Sequence, residues 1–559
     1  MGFQSRSPLQ ASKGLKLGLH GHYSIERLCA LHEYTKTKSY LHVTIVCVLM
    51  SMPPLLSVVI LEMMPLHDPS AGWNNNTVFW IRSFVGIFII SVGVVFQLQA
   101  MAPAASLNLR QCLLLSIVAA SSYVASLLLI AEYVAFPVPF TLVAGVPAWA
   151  LCLFPGMALA IGVARLKHDT TLRAQFLRFG NKIMLESNFM VIYPVYSLVF
   201  LSLSGASQFF FMFVLQIIKL ILKKSMVKLI PDMEDLVPVV VISVDLFNAL
   251  YQSKCMQSAG SLLATSGIIA VDAVQNLFVL RGLFRNMEEV MVAGQLSVSS
   301  KGLLAHVLAL VDDPDTIAVD ALLGVRVAAS PSLRLPDQQK KLIDRLHTAQ
   351  QIHLDSEISP PAMISFKPAT VPIAPARATS MASASVSPAP VTESVKLDPT
   401  APMFPVKADI SCAEKTLFIK KTLQLLFKCE LVLLVEYIES AISLLYAIYL
   451  LILYHLPNAK YYSEMAEVTP SELQSAVLGI VVYAFLEALS LIAVHCVLRW
   501  KFNMSALHQM AFVFQTDWLV IQSAFMAWVI MILQFTLEHN GVDFSFRFKW
   551  VHNATDTSV

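Results

Sequence analysis

Residues 431–454 read LVLLVEYIESAISLLYAIYLLILY, an apolar run whose only charged members are Glu436 and Glu439. A helix needs about 20 such residues to cross the hydrocarbon core of a bilayer. The run therefore predicts a membrane-spanning helix. Its two acids indicate a role beyond anchoring, because charged side chains inside a bilayer are costly.

Ten further apolar runs surround this one along the chain. They cover 40–61, 78–101, 112–134, 140–163, 189–203, 209–222, 236–252, 259–280, 476–498 and 518–537. Composition agrees, since 56% of the residues are hydrophobic and only 14% are charged, against about 25% in soluble domains. The sequence predicts an all-α, polytopic transmembrane helical bundle of nine to eleven spans. The short runs 189–203 and 209–222 leave two alternatives open, two crossings or one re-entrant hairpin.

Five regions follow from the placement of these runs. Residues 1–39 form an N-terminal head, and 40–285 a first membrane region of about six to eight spans. Residues 286–426 form a polar insert, with a Pro, Ala and Ser-rich linker near 359–407 whose composition predicts disorder. Within the insert, the spacing of Leu342, Leu346 and Ile352 predicts a helix. Residues 427–538 form a second membrane region of three spans, and 539–559 a tail.

Loop charges and glycosylation sequons predict the orientation. The head, the stretch after the fourth span (Arg165 to Lys182) and the stretch from Lys223 to Lys228 are rich in Lys and Arg, which places them in the cytoplasm. The loop between residues 61 and 78 has neither residue type and carries a sequon at Asn75. A second sequon, at Asn553, follows the last span. The head and the insert are therefore predicted cytoplasmic and the C-terminus extracytoplasmic, in the plasma membrane or an endomembrane.

Several function classes lack support. The net charge of +2 offers no basic field for nucleic acid, and the eight cysteines contain no CxxC pair, so neither a disulfide framework nor a zinc site is indicated. No P-loop, HExxH or GxSxG motif is present. The sequence thus indicates no catalytic residue, cofactor or metal centre, and the protein is predicted not to be an enzyme.

Acids within apolar helices are the most informative feature. An acid facing lipid at mid-span costs about 2.5 to 3.5 kcal/mol, so these side chains are predicted to face the bundle interior. The same prediction covers Glu132, near an outer helix end. Few Lys or Arg residues lie at the same depth in the predicted spans as these acids; Arg82 and Lys219 are two of them. The predicted intramembrane polar or ion site consists of the central acids and polar neighbours at helical spacing: Asp245, Asn248, Asp272, Gln275, Asn276, Glu436, Glu439, Glu487 and His495.

Four stretches carry a resemblance to a known family. They are HGHYSIERLCALHEYTKTKSYLHV (20–43), DPSAGWNNNTVFWIR (68–82), QSAGSLLATSGIIAVDAVQNL (257–277) and LFKCELVLLVEYIESAISLLYAIYLLILYHLPNAKYY (426–462). Together they resemble a large expanded family of uncharacterised multi-pass membrane proteins of oomycetes. The resemblance implies a multi-pass membrane protein, and it implies no activity, ligand or site residue.

Three functional hypotheses stand at this point. The acids favour a cation- or proton-coupled transporter of a small solute. The insert favours a non-transporting scaffold or signalling protein that binds cytoplasmic partners. A membrane-embedded enzyme is the third. The acids also have a structural explanation, since protonated carboxyl groups can hydrogen-bond between helices.

Overall fold

The computed structural model describes residues 21–204, 206–229, 237–258, 262–294, 302–312, 325–329, 333–358 and 412–543. Within these ranges the chain forms α-helices, short 3-10 turns and no β-strand, which confirms the all-α prediction. The helices before the insert are α1 (Ile25–Thr37), α2 (Tyr40–Glu62), α3 (Thr77–Met101), α4 (Leu109–Tyr133), α5 (Thr141–Ala144), α6 (Val146–Ile161), α7 (Val163–His168), α8 (Thr170–Ser187), α9 (Phe189–Ser202), α10 (Ala206–Lys228), α11 (Val237–Ser258) and α12 (Leu262–Ala293). The remaining helices are α13 (Leu303–Asp312), α14 (Asp337–Ile358), α15 (Cys412–Tyr454), α16 (Pro470–Phe502), α17 (Ala506–Thr516) and α18 (Trp518–Gln534).

Eight helical stretches of the described chain are long and apolar enough to cross a membrane. A ninth arises if α17 and α18, which meet at an angle of 83°, count as one broken span. The eight are Tyr40–Glu62, Thr77–Met101, Leu109–Tyr133, Thr141–Ile161, Thr170–Ser202, Ser266–Ala293, Glu414–Tyr454 and Pro470–Phe502. The chain therefore has the architecture of a multi-pass membrane protein.

Large apolar side chains cover much of the bundle surface. In water such a surface would be a liability, whereas lipid tails accept it without cost. Examples with accessibilities between 55% and 74% are Leu41, Leu114, Leu151, Leu159, Phe485 and Ile492. These residues lie on α2, α4, α6 and α16, so each of these helices has a face suited to lipid.

Helix α11 lies at the centre of the bundle. Every residue from 241 to 256 is buried, and the helix packs against α9, α10, α15, α16 and α18. Because α11 is surrounded by protein, its polar residues need no lipid-compatible face. This explains why α11 is too polar to be among the eight apolar spans and still belongs to the core.

Two Lys- and Arg-rich stretches that the sequence predicts as cytoplasmic connections contain helical residues in the structure. The stretch after the fourth span is helical (α7 and α8), and Lys182 is buried there, with its Nζ 2.5 Å from Gln97 Oε1 and 2.8 Å from Glu186 Oε2. The second short run extends beyond the predicted residue 222, because α10 continues to Lys228. Lys223, whose side chain is 17% accessible, is thus a half-buried helix residue and not a loop residue. The Lys and Arg content of these stretches predicted their side of the membrane but not that individual lysines pair with buried acids.

The described part of the insert packs onto the head. The first N–H groups of α1 have no partner inside their own helix. The insert supplies partners, since Ile25 N donates to Arg326 O at 3.0 Å and Glu26 N to Val327 O at 2.9 Å. The Glu26 carboxylate in turn accepts from Ala329 N at 2.6 Å. The predicted helix around Leu342 is confirmed as α14, whereas the linker near 359–407 lies outside the described residues.

Helix α15 connects this assembly to the membrane bundle. Its 43 residues rise about 65 Å at 1.5 Å per residue, roughly twice the hydrocarbon thickness. The helix packs against α11, α12 and α16, and its N-terminal part also contacts α13 and the head residue Tyr23. A displacement of the head or the insert therefore acts on the helix that carries Glu436 and Glu439.

Candidate functional site

Two lysines of α10 reach the acids of α11 and α15. Lys223 Nζ lies 2.6 Å from Asp245 Oδ1, and Lys219 Nζ lies 3.6 Å from the same oxygen. Lys219 also donates a hydrogen bond to Glu439 Oε1. The side chains of Lys219, Asp245 and Glu439 are 5% accessible or less. Lys219 therefore bridges acids on two different helices in a water-poor interior.

A second set of contacts surrounds Asp272 on α12. Tyr483 OH donates to Asp272 Oδ2 at 2.5 Å, and Gln252 Nε2 donates to the same oxygen at 3.2 Å. Asn248 Nδ2 donates to Gln252 Oε1 at 3.3 Å, which extends the chain of hydrogen bonds along α11. An oxygen that accepts two hydrogen bonds is held in a defined position and carries negative charge more easily.

A further acid, Glu487 on α16, lies beside Asp272 and Glu439. Its Oε2 accepts a hydrogen bond from Asn276 Nδ2 at 2.8 Å. One carboxylate oxygen each from Asp272, Glu439 and Glu487 lies within 4.8 Å of the others. That spread matches oxygens that bind one hard cation from opposite sides at about 2.4 Å each. These three side chains could therefore hold a proton or a cation between α12, α15 and α16.

Three carboxylate oxygens at this place have neither a hydrogen-bond donor nor a lysine partner among the described residues. Asp272 Oδ1, Glu439 Oε2 and Glu436 Oε2 are buried and have no hydrogen-bond partner within the described part of the chain. Their residues are at most 1% accessible. A buried carboxylate without partners is unfavourable by several kcal/mol, so it takes up a proton or a cation. The unmet oxygens belong to three of the five predicted acids.

Charge balance leads to the same conclusion. We call the five acids Asp245, Asp272, Glu436, Glu439 and Glu487 together with Lys219 and Lys223 the acid cluster. Five carboxyl groups face two ammonium groups, so three carboxyl groups have no lysine among the described residues. Neighbouring carboxyl groups in a low-dielectric interior cannot all remain ionised, because their negative charges repel each other. The acid cluster therefore has room for up to three protons or for fewer, more highly charged cations.

The structure separates the predicted site residues into two groups. Asn248 and Asn276 belong to the hydrogen-bond network just described. Gln275 and His495 are only partly buried, and no hydrogen bond or ion pair joins them to the five acids in the ranges that the structure describes. Glu132 is exposed near the end of α4, so the prediction that it faces the bundle interior is wrong. An acid at a helix end reaches the headgroup region and needs no interior position.

Sequence reasoning missed two members of the site, Lys223 and Tyr483. Lys223 follows an apolar run and resembles a loop lysine, and Tyr483 is one of many aromatic residues in an apolar helix. Gln252, by contrast, is placed on the face of Asp245 by its i+7 spacing in the sequence. The first two have no comparable signal, because only helix packing brings them to an acid.

A small cavity adjoins the acid cluster. It has a volume of about 20 Å³ and is lined by residues of α9 to α12, among them Tyr196, Gln216 and Gln252. A cavity of this size holds about one water molecule. Gln252 lines the cavity and also donates to Asp272. Only this side chain therefore separates a water or ion in the cavity from the acids. A larger solute does not fit in this conformation.

A separate buried ion pair joins the head to the membrane region. Arg27 Nη2 lies 2.9 Å from Glu430 Oε1 and 3.1 Å from Asp517 Oδ2, and all three side chains are 4% accessible or less. Asp517 stands at the break between α17 and α18. Tyr23 donates to Glu430, and burial together with the adjacent carboxylate raises the pKa of Tyr23 well above its usual value, which keeps it a donor. We call Arg27, Glu430 and Asp517 the head triad.

The structure describes some of the glycosylation sequons and not others. Asn75 is exposed in the turn before α3, and its Nδ2 donates to Ala71 O at 2.8 Å. A third sequon, Asn503-Met504-Ser505, lies at the C-terminal end of α16, where Asn503 is exposed. Asn553 lies outside the described residues.

Comparison with known proteins gives no relative. No family model matches the chain, no curated protein matches it, and no solved structure matches it. The function must therefore be argued from the acid cluster and its surroundings.

Proposed function

We propose that this multi-pass membrane protein is a cation- or proton-coupled transporter of a small solute, with the acid cluster as its ion site. One observation carries the proposal: of five buried acids on four helices, only two pair with lysines, and three have oxygens without a partner. Buried acids that only connect helices would be expected to pair with donors one by one. A surplus of acids is typical of a site that gains and loses positive charge.

The lysines suggest how charge would be coupled to movement. Both stand on α10, so a displacement of this one helix removes both cations from Asp245 and Glu439 together. The hairpin of α9 and α10 contains Pro194 within α9, which interrupts the backbone hydrogen bonding of that helix. In the proposal, ion binding at Asp272, Glu439 and Glu487 compensates the acids while α10 moves, and that movement widens the cavity enough for a solute.

The first experiment measures transport directly. Full-length protein is reconstituted into liposomes that contain a pH-sensitive dye, and a potassium gradient with valinomycin supplies the driving potential. We expect proton entry above that of protein-free liposomes, or a proton signal that depends on added Na⁺, Ca²⁺ or Mn²⁺, because oxygen ligands suit hard cations. If neither protons nor any of these cations cross, the transport proposal fails. The scaffold hypothesis, in which the insert binds partners, then takes its place.

Orientation is proposed from the loop charges and the sequons. We infer that the head and the insert are cytoplasmic and that Asn75 and Asn553 are extracytoplasmic. In cells with a glycosylation machinery, Asn75→Gln and Asn553→Gln should each remove one glycosidase-sensitive mass step, whereas Asn503→Gln should change nothing. Asn503 is the matched control, since it is an exposed sequon on the opposite side in this topology. A mass step lost with Asn503→Gln would reverse the orientation.

The resemblance to oomycete membrane proteins remains part of the proposal. It would place this chain among multi-pass proteins without adding a ligand or a partner. The acid cluster involves Asp272 and Glu439, which lie within two of the four similar stretches.

A further inference from the structure

A second cavity lies between α3, α4, α5 and α18, away from the acid cluster. Its volume is about 20 Å³, and its polar lining residues are Arg82, Ser83, Tyr123, Gln534 and Asn540. The rest of the wall is apolar, including Ile87 and Ile530. It shares no lining residue with the cavity beside the acid cluster.

Arg82 has donors to spare in this cavity. The residue is 2% accessible, and Nη2 donates to Glu62 Oε1 at 2.8 Å. Its Nε and Nη1 are buried and have no hydrogen-bond partner within the described residues. A guanidinium group carries five N–H donors and stays protonated, so it cannot relieve the shortage by losing a proton. Each unmet buried donor is unfavourable and calls for an acceptor.

A second donor comes from α18. Gln534 is 8% accessible, and its Nε2 also lacks a hydrogen-bond partner in the part of the chain that is described. The other three polar residues of the wall already use their donors. Ser83 Oγ donates to Phe79 O at 2.9 Å, Tyr123 OH to Thr141 O at 3.0 Å and Asn540 Nδ2 to Gln534 O at 2.6 Å. The unmet buried side-chain groups along this wall are therefore all donors.

Because the unmet groups are all donors, an anion suits this cavity better than a water molecule does. A bound water must place its own two protons on acceptors, whereas an anion only accepts. Hydrogen bonds from a guanidinium to an anion are also stronger than those between neutral groups. Glu62 satisfies only one of the guanidinium donors, since Nη2 alone reaches its Oε1, and that oxygen also accepts from Tyr462 OH at 2.6 Å.

We propose that this cavity binds a small monovalent inorganic anion of the size of chloride, held by Arg82 and Gln534. The volume admits one monoatomic ion and excludes polyatomic anions such as sulfate or gluconate. The proposal is independent of the transport function, because it concerns another cavity and other residues.

The test uses purified full-length protein in detergent. Chloride replaces gluconate at constant ionic strength while the melting temperature is recorded, since a ligand that binds only the folded state raises it. We expect a saturable rise with chloride and with bromide, and none with sulfate. A wild-type melting temperature that is equal in chloride and gluconate would overturn the proposal and leave water in the cavity.

Three variants locate the effect. Gln534→Leu removes one donor, and Arg82→Lys keeps the charge beside Glu62 but removes the planar donor pair. Each should weaken apparent chloride affinity about tenfold or more, the usual effect of losing a hydrogen bond to a charged group. Gln522→Leu makes the same chemical change on α18 outside the cavity and should keep wild-type affinity. Wild-type affinity in both Gln534→Leu and Arg82→Lys would place the anion elsewhere and refute the site.

Discussion

Proteoliposomes that contain the double variant Asp272→Asn, Glu487→Gln should lose ion flux by about a hundredfold or more, the lower range for removing a group that transfers protons. Both substitutions keep the shape of the side chain. The amide oxygen of Asn can still accept from Tyr483 and Gln252, and that of Gln can still accept from Asn276, so the surrounding hydrogen bonds persist. What disappears is the ability of two of the three grouped carboxyl groups to bind a proton or a cation.

The control for this prediction is Glu132→Gln. It makes the same chemical change at an exposed acid near the end of α4, away from the acid cluster, and it should leave flux unchanged. The double variant should also be at least as stable as the wild type, because removing two of several like charges in a low dielectric relieves repulsion. Wild-type flux in a folded double variant would show that these carboxyl groups only connect helices.

The variant Arg27→Met should lower the free energy of unfolding by about 3 to 5 kcal/mol, the usual effect of removing one partner from a buried ion pair. The substitution leaves Glu430 and Asp517 buried without their cation. Because Arg27 lies on the head helix, we expect the head to detach first. Melting temperature and the rate of proteolysis within residues 21–37 measure the two effects.

Two further variants make this prediction specific to charge. Combining Arg27→Met with Glu430→Gln and Asp517→Asn removes the stranded charges and should restore most of the stability. Lys421→Met disrupts an ion pair with Glu289 whose side chains are 35% and 44% accessible, and such exposed pairs contribute about 1 kcal/mol or less. If Arg27→Met is no more harmful than Lys421→Met, the head triad does not hold the head.

The membrane helices were predictable because lipid imposes one simple requirement on sequence. Runs such as 40–61 and 78–101 recur in the structure as α2 and α3 with nearly the same ends. Helix α11 was predicted although its polar residues lower its hydropathy, since an apolar run of adequate length remained. Its burial on all sides then explains those polar residues.

Part of the acid cluster was also predictable. Acids inside apolar runs must face protein, and helical spacing assigns Asn248 and Asn276 to the same faces as Asp245 and Asp272. Which helix lies opposite is a tertiary property that no spacing along one helix contains. For that reason the pairing of Lys223 with Asp245 was not predicted, and Gln275 and His495 were included without contacting the acids.

The docking of the insert on the head was beyond sequence reasoning for a similar reason. The contacts of Ile25 and Glu26 with residues 326 and 327 involve the backbone on both sides. Backbone partners leave almost no trace in residue type, and about three hundred positions separate the two segments. A polar insert that follows a membrane region suggests a free loop until such contacts are seen.

The central claim is that the acid cluster changes its protonation or its bound cation while the protein stays folded. Infrared difference spectroscopy on reconstituted protein tests it most directly, because protonated and ionised carboxyl groups absorb at different frequencies. We predict that a pH step, or the addition of the transported cation, changes the carboxyl bands of the wild type. Most of this change should be absent from the Asp272→Asn, Glu487→Gln variant and present in Glu132→Gln. A difference spectrum that is the same in wild type and double variant would contradict the claim.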